Sequence, residues 1–127
     1  QKRTESIYTH ALNAIVRGDT RTALKHLRDV VKQDTNHIDA YLQMGDILRE
    51  EGNAQAAVKI HQSLTVRPNL NNDISRDIHQ SLALDFEQIG HLNKAKREAE
   101  LVLKLDRKNL WANEFLLDIF VFFPIIS

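Results

Sequence analysis

Apolar and polar positions follow a helical beat along most of the chain. In "GDTRTALKHLRDVVKQD" (18–34) Ala23, Leu27 and Val30 recur about one turn apart with charged residues between them, the signature of an amphipathic helix. Similar segments are separated by Gly18, Gly52 and Gly90, each following one helical pattern and preceding the next. That is where a left-handed cap costs no Cβ clash, so turns are expected at about 18–20, 52–54 and 90–93. Four glycines, two prolines and few β-branched runs leave little material for strands, whereas strong helix formers abound. The chain is predicted to be all α, with about seven helices.

The pattern repeats. Aligning "GDTRTALKHLRDVVKQD" (18–34), "GNAQAAVKIHQSLTVRP" (52–68) and "GHLNKAKREAELVLKLD" (90–106) superposes the three glycines and then Ala23, Ala57 and Ala95. The glycines lie 34 and 38 residues apart, one interval being a period and the next a period plus four. A second alignment, "DTNHIDAYLQMGDIL" (34–48) on "DRKNLWANEFLLDIF" (106–120), starts a fourth unit near Leu110. These residues resemble the tetratricopeptide repeat, a helix–turn–helix of 34 residues. The second unit matches at Tyr41, Met44, Gly45, Leu48, Gly52, Ala57 and Leu64; the others match with His10 and His79 in places usually apolar. The resemblance implies a right-handed solenoid in one domain: repeats at about 4–37, 38–71 and 76–109, four extra residues near 68–75, and the first helix of a fourth repeat at about 110–123. Small residues on paired helices allow the close approach such stacking needs. Pro68 should stop one helix before the irregular joint "VRPNLNNDISRD" (66–77), and Pro124 with the chain end leaves the fourth unit without a second helix.

At 127 residues, 43% apolar and 27% charged, the chain has the length and balance of one globular domain. Seventeen basic residues equal seventeen acidic ones, so nothing draws it globally to nucleic acid. Without cysteine there is no disulfide, thiolate metal site or cysteine nucleophile. The run "IFVFFPII" is too short to span a bilayer, and a cytoplasmic location is expected. Six histidines show no H-x-x-x-H or H-E-x-x-H spacing, and no nucleophile elbow, Walker loop or dinucleotide fingerprint occurs. The reading is of a protein that is not an enzyme and holds no metal or cofactor. His61, in a second-helix place usually apolar, reads as a packed imidazole donating one hydrogen bond.

Peptides usually enter such arrays on the concave face, lined by first helices. Outward positions there include Glu5, Tyr8, Leu12 and Ile15; Asp39, Leu42, Asp46 and Arg49; Asp77, Gln80, Leu84 and Glu87; and Trp111, Glu114 and Asp118 in the fourth unit. The expected partner-binding set is Tyr8, Leu12, Asp39, Leu42, Asp46, Arg49, Asp77, Gln80, Leu84 and Glu87. It forms an acidic groove with apolar insets, suited to a protein segment carrying lysine or arginine around apolar anchors. Basic residues, from Arg21, Lys25, Arg28 and Lys32 to Lys94, Lys96, Arg97 and Lys104, fall on second helices. Where some co-chaperones of this repeat class carry a carboxylate clamp, this chain has Tyr8, Leu12, Gln43, Asp77 and Ser81, so docking of that type is disfavoured. An alternative reading is a self-assembly module joined through an apolar edge at Trp111, Phe115, Phe120 and Phe122.

The segment "MGDILREEGNAQAAVKIHQSL" (44–64) resembles more than a generic repeat. With "YTHALNAIVRGDTRTALKHLRDVVKQDT" (8–35) it is similar to the first repeats of the lipopolysaccharide assembly protein B family, matching at Gly45, Leu48, Arg49, Gly52, Ala57, Val58, Ile60, His61, Gln62 and Leu64. Glu50 and Glu51 depart from that family's basic or mixed pattern. The resemblance implies a piece of a longer bacterial adaptor with an N-terminal membrane helix, further repeats and a four-cysteine metal-binding domain. Such adaptors help an inner-membrane protease control the first committed enzyme of lipid A synthesis.

Overall fold

The computed structural model describes residues 2–126, with side chains as far as Val121. Among them are seven helices and no strand: α1 (Lys2–Val16), α2 (Thr20–Gln33), α3 (Ile38–Glu50), α4 (Ala54–Thr65), α5 (Asn72–Ile89), α6 (Leu92–Leu105) and α7 (Leu110–Ile126). Each packs on the next, and α3 also touches α5, so these two first helices lie side by side.

The caps are written in the local sequence. Side-chain acceptors of Asp19, His37, Asn53, Asn71 and Asn109 each take the backbone N–H three residues on, starting α2, α3, α4, α5 and α7. Gly18, Gly52 and Gly90 sit at φ of 77°, 93° and 94°, in the turns where the spacing put them. Small residues make the helices close: Ala11, Ala14, Ala23, Ala57, Ala83, Ala95 and Ala99 are fully buried. One apolar cluster joins α1, α2 and α3 around Leu27, Val30 and Ile47. A second runs from Leu42 and Leu64 through Ile78, Leu82 and Phe86 to Phe115 and Ile119.

At the irregular joint α4 ends at Thr65, ahead of Pro68, and the extra residues divide between a longer connection and a longer α5, which has 18 residues against 13 in α3. Arg67 pins the connection, donating to the Thr35 carbonyl at 2.9 Å and lying over the Tyr41 ring. The backbone of α7 continues helical through Pro124 to Ile126, because proline removes one backbone donor and strains a helix without having to end it.

Candidate partner-binding groove

The first helices bring six of the ten expected residues together. Leu42, Asp46, Arg49, Asp77, Gln80 and Leu84, with Gln43 and Ser81, line a cleft of about 280 Å³ between α3 and α5. Tyr8, Leu12, Asp39 and Glu87 lie outside it. The cleft is less simply acidic than the sequence implied, because two of its members face inward. Leu42 is 8% exposed and belongs to the core rather than to an outward surface. Arg49 donates through Nη1 to Asp46 and to Asp85, both at 3.0 Å, and is unavailable as a free cation.

Asp85 is the residue that sequence reasoning missed. It is fully buried, taking Arg49 on Oδ1 and His61 Nδ1, 2.5 Å away, on Oδ2. The other ring nitrogen, Nε2, lies 3.1 Å from the Leu42 carbonyl and 3.5 Å from Asp46. Both nitrogens of His61 therefore face oxygen acceptors, an arrangement satisfied when both carry protons. Two cations and two carboxylates then balance beneath the cleft floor and tie α3, α4 and α5 together. His61 is packed as expected, but with two bonding directions instead of one. A signal was present: in "SLALDFEQ" Asp85 follows Leu82 by three and precedes Phe86, which places an acid on the apolar stripe of α5.

Around the cleft the acids are exposed. Asp77 and Asp39 face solvent, Asp77 contacting the neighbouring Arg76 at 3.4 Å. Glu87 has its carboxyl pKa raised, first by burial and then by the charge of Asp118 on α7. Tyr8 is half-buried against the His37 ring, 4.5 Å between centroids, and its phenol is pushed up to about 12 by burial and by Asp39. The sign follows from an unfolded phenol near 10: the unfolded chain ionises first, so stability present below pH 10 is lost between about pH 10 and 12. Ultraviolet titration should show the late Tyr8 step, and Asp39→Asn should move it down without returning it to 10, since burial remains. An unmoved step would remove Asp39 as a cause.

The expected apolar edge is only partly an edge. Phe115 is 7% exposed and Trp111, stacked on it at 4.8 Å, packs against the same core, because this face of α7 is the one that meets α6. Phe120, 71% exposed, does face outward, in company with Leu110, Leu117 and Val121. The Phe122 side chain lies outside the described residues. Among the described residues there is no group of three metal-ligating side chains, and no helix is long and apolar enough to cross a membrane.

Over 89 residues the chain is 26% identical to lipopolysaccharide assembly protein B of Escherichia coli (strain K12), covering 70% of this chain and 23% of that protein. Against the protein of the same description from Haemophilus influenzae (strain Rd) it is 25% identical over 97 residues, covering 70% and 24%. The chain thus spans under a quarter of the length of these curated relatives. No family model matches. A solved tetratricopeptide repeat protein from Parabacteroides merdae superposes with a TM-score of 0.74 over 88% of this chain and 43% of its own, at 17% identity. MamA does so at 0.69, over 83% and 55%, at 19% identity. Seven helices with glycine turns and alanine contacts, this likeness of fold and this likeness of sequence meet in one description: the chain has the fold of tetratricopeptide-repeat solenoids and resembles lipopolysaccharide assembly protein B in sequence.

Proposed function

We propose that this chain is a non-catalytic scaffold, three helical repeats and the first helix of a fourth, whose groove holds a basic and apolar segment of a protein partner. The observation that carries the reading is the cleft between α3 and α5, where the exposed Asp77 lies beside the apolar walls of Leu42 and Leu84 while Arg49 is held by Asp46 and the buried Asp85. A lysine or arginine there would meet carboxylates and set its aliphatic stem on leucine. By its likeness to lipopolysaccharide assembly protein B, the scaffold would serve regulation of lipopolysaccharide synthesis on the cytoplasmic side of the inner membrane. The test is fluorescence anisotropy of a labelled peptide of lysines and leucines. Asp39→Lys with Asp77→Lys should weaken binding at least about ten-fold while helicity is kept. Unchanged binding would sink the acidic-groove proposal. Asp46 is left alone because it also neutralises Arg49.

A second reading, self-assembly through the α7 edge, draws on the outward Leu117, Phe120 and Val121. Light scattering of Phe120→Glu checks it: association equal to that of the parent chain would remove this edge as the contact.

A further inference from the structure

The balanced net charge hides a sorting of charge by helix. α2, α4 and α6 together carry nine lysines and arginines against three acids, whereas α1, α3, α5 and α7 carry four against ten. The sharpest expression is on α2. Arg21, Lys25, Arg28 and Lys32 recur at i, i+4, i+7 and i+11, which sets them in one row along the helix. All four are exposed, and none takes part in an ion pair of the described residues. Leu24 and Val31 turn the other way, into the core of α1 to α3, so no apolar side chain interrupts the row. Its length, at 1.5 Å per residue, is about 16 Å.

The acidic face has matching dimensions. By the same rise Asp77 and Glu87, both exposed, lie about 15 Å apart along α5, with the exposed Asp39 on the neighbouring α3. We propose that the basic row of α2 docks into the acidic groove of a second copy of this chain. This rests on the groove reading above and names an occupant for it. Complementarity in sign and length is built into one sequence, and zero net charge leaves no long-range repulsion to oppose the approach of copies. The two surfaces are different and lie on different helices, so the contact is head to tail: each added copy leaves a row free at one end and a groove free at the other. Such an array presents repeated grooves, of which the terminal one stays open to another basic segment.

Two neutralised variants of the whole chain test this, a row variant (Arg21→Gln, Lys25→Gln, Arg28→Gln, Lys32→Gln) and a groove variant (Asp39→Asn, Asp77→Asn, Glu87→Gln). In sedimentation velocity the parent chain should grow in mass with concentration, and each variant alone should stay monomeric. Mixed, the variants should form a one-to-one complex and nothing larger, since only one row and one groove remain. Its association constant should fall at least about ten-fold when ionic strength rises from about 0.05 to about 0.3 M. A mixture that stays monomeric overturns the proposal. So does association that persists in the row variant and survives salt, which would place the contact on the apolar edge of α7. Binding of the row to phosphatidylglycerol vesicles by a chain that stays monomeric overturns it as well. The lysine and leucine peptide separates the two readings: if the row variant still binds it while copies do not associate, the groove stands and only the self-docking falls. If neither peptide nor copy is held, the groove reading itself falls.

Discussion

Replacing Gly45 by alanine is expected to lower the unfolding midpoint by about 10 °C, although alanine is the better helix former by about 1 kcal/mol. Gly45 has ordinary helical backbone, so strain in φ is not the reason. A Cβ built there would run into the His61 imidazole. A flexible surface side chain would swing aside, but this ring is wholly buried and held at both nitrogens, by Asp85 and by the Leu42 carbonyl. To make room it must give up at least one of those bonds or push α4 away from α3. Overpacking of this kind and a lost buried hydrogen bond together cost about 3 kcal/mol. Thermal unfolding followed by circular dichroism measures it. The decisive control is His61→Ala: with the ring gone, Gly45→Ala should become neutral or stabilising by about 1 kcal/mol. If alanine at 45 is equally harmful in both backgrounds, the imidazole is not what requires the glycine.

The same pair of residues shows what a sequence can and cannot say. That Gly45 and Ala57 serve close helix packing was legible, because the spacing of small residues between two helices has few other uses. The turns at Gly18, Gly52 and Gly90 were legible because each lies between helical patterns and has a positive φ that other residues avoid. The positions of Asp46 and Asp77 beside a shared cleft were legible from helix register alone. What could not be read was which polar residues turn inward. Arg49 and Asp85 are 36 residues apart and meet only because α3 packs beside α5, a contact that no local period encodes. Trp111 and Phe115 went the opposite way, from expected edge to core, because the apolar surface of α7 runs around much of the helix and periodicity cannot choose the face that α6 covers. Leu42 lines the cleft with only a small part of its surface for a related reason, since most of its side chain is packed in the core that α3 shares with α5.

Asp85→Ala should cost about 3–5 kcal/mol, the range for removing one partner from a buried ionic set and leaving the others unneutralised. Without it Arg49 and His61 share Asp46 alone, and His61 Nδ1 points into an apolar interior. Asp85→Asn should be milder and still harmful: its amide offers one acceptor oxygen, so one of the two donors faces an N–H₂ group. Replacing the set together, Arg49→Met with His61→Leu and Asp85→Leu, should recover most of the loss, because apolar side chains of similar volume remove the need for neutralisation. The network also lies where α5 joins α3 and α4, and an array of repeats is stabilised unit by unit and by the contacts between neighbours. Cutting that contact should therefore change the shape of unfolding as well as its midpoint. In urea the parent chain is expected to unfold in one transition, whereas Asp85→Ala should show a broader or divided one, with amides of α1 to α4 exchanging at a free energy different from those of α5 to α7. A variant that loses less than about 1 kcal/mol and keeps one sharp transition would mean that the apolar cluster running from Leu42 to Ile119 already couples the two halves without the buried charges.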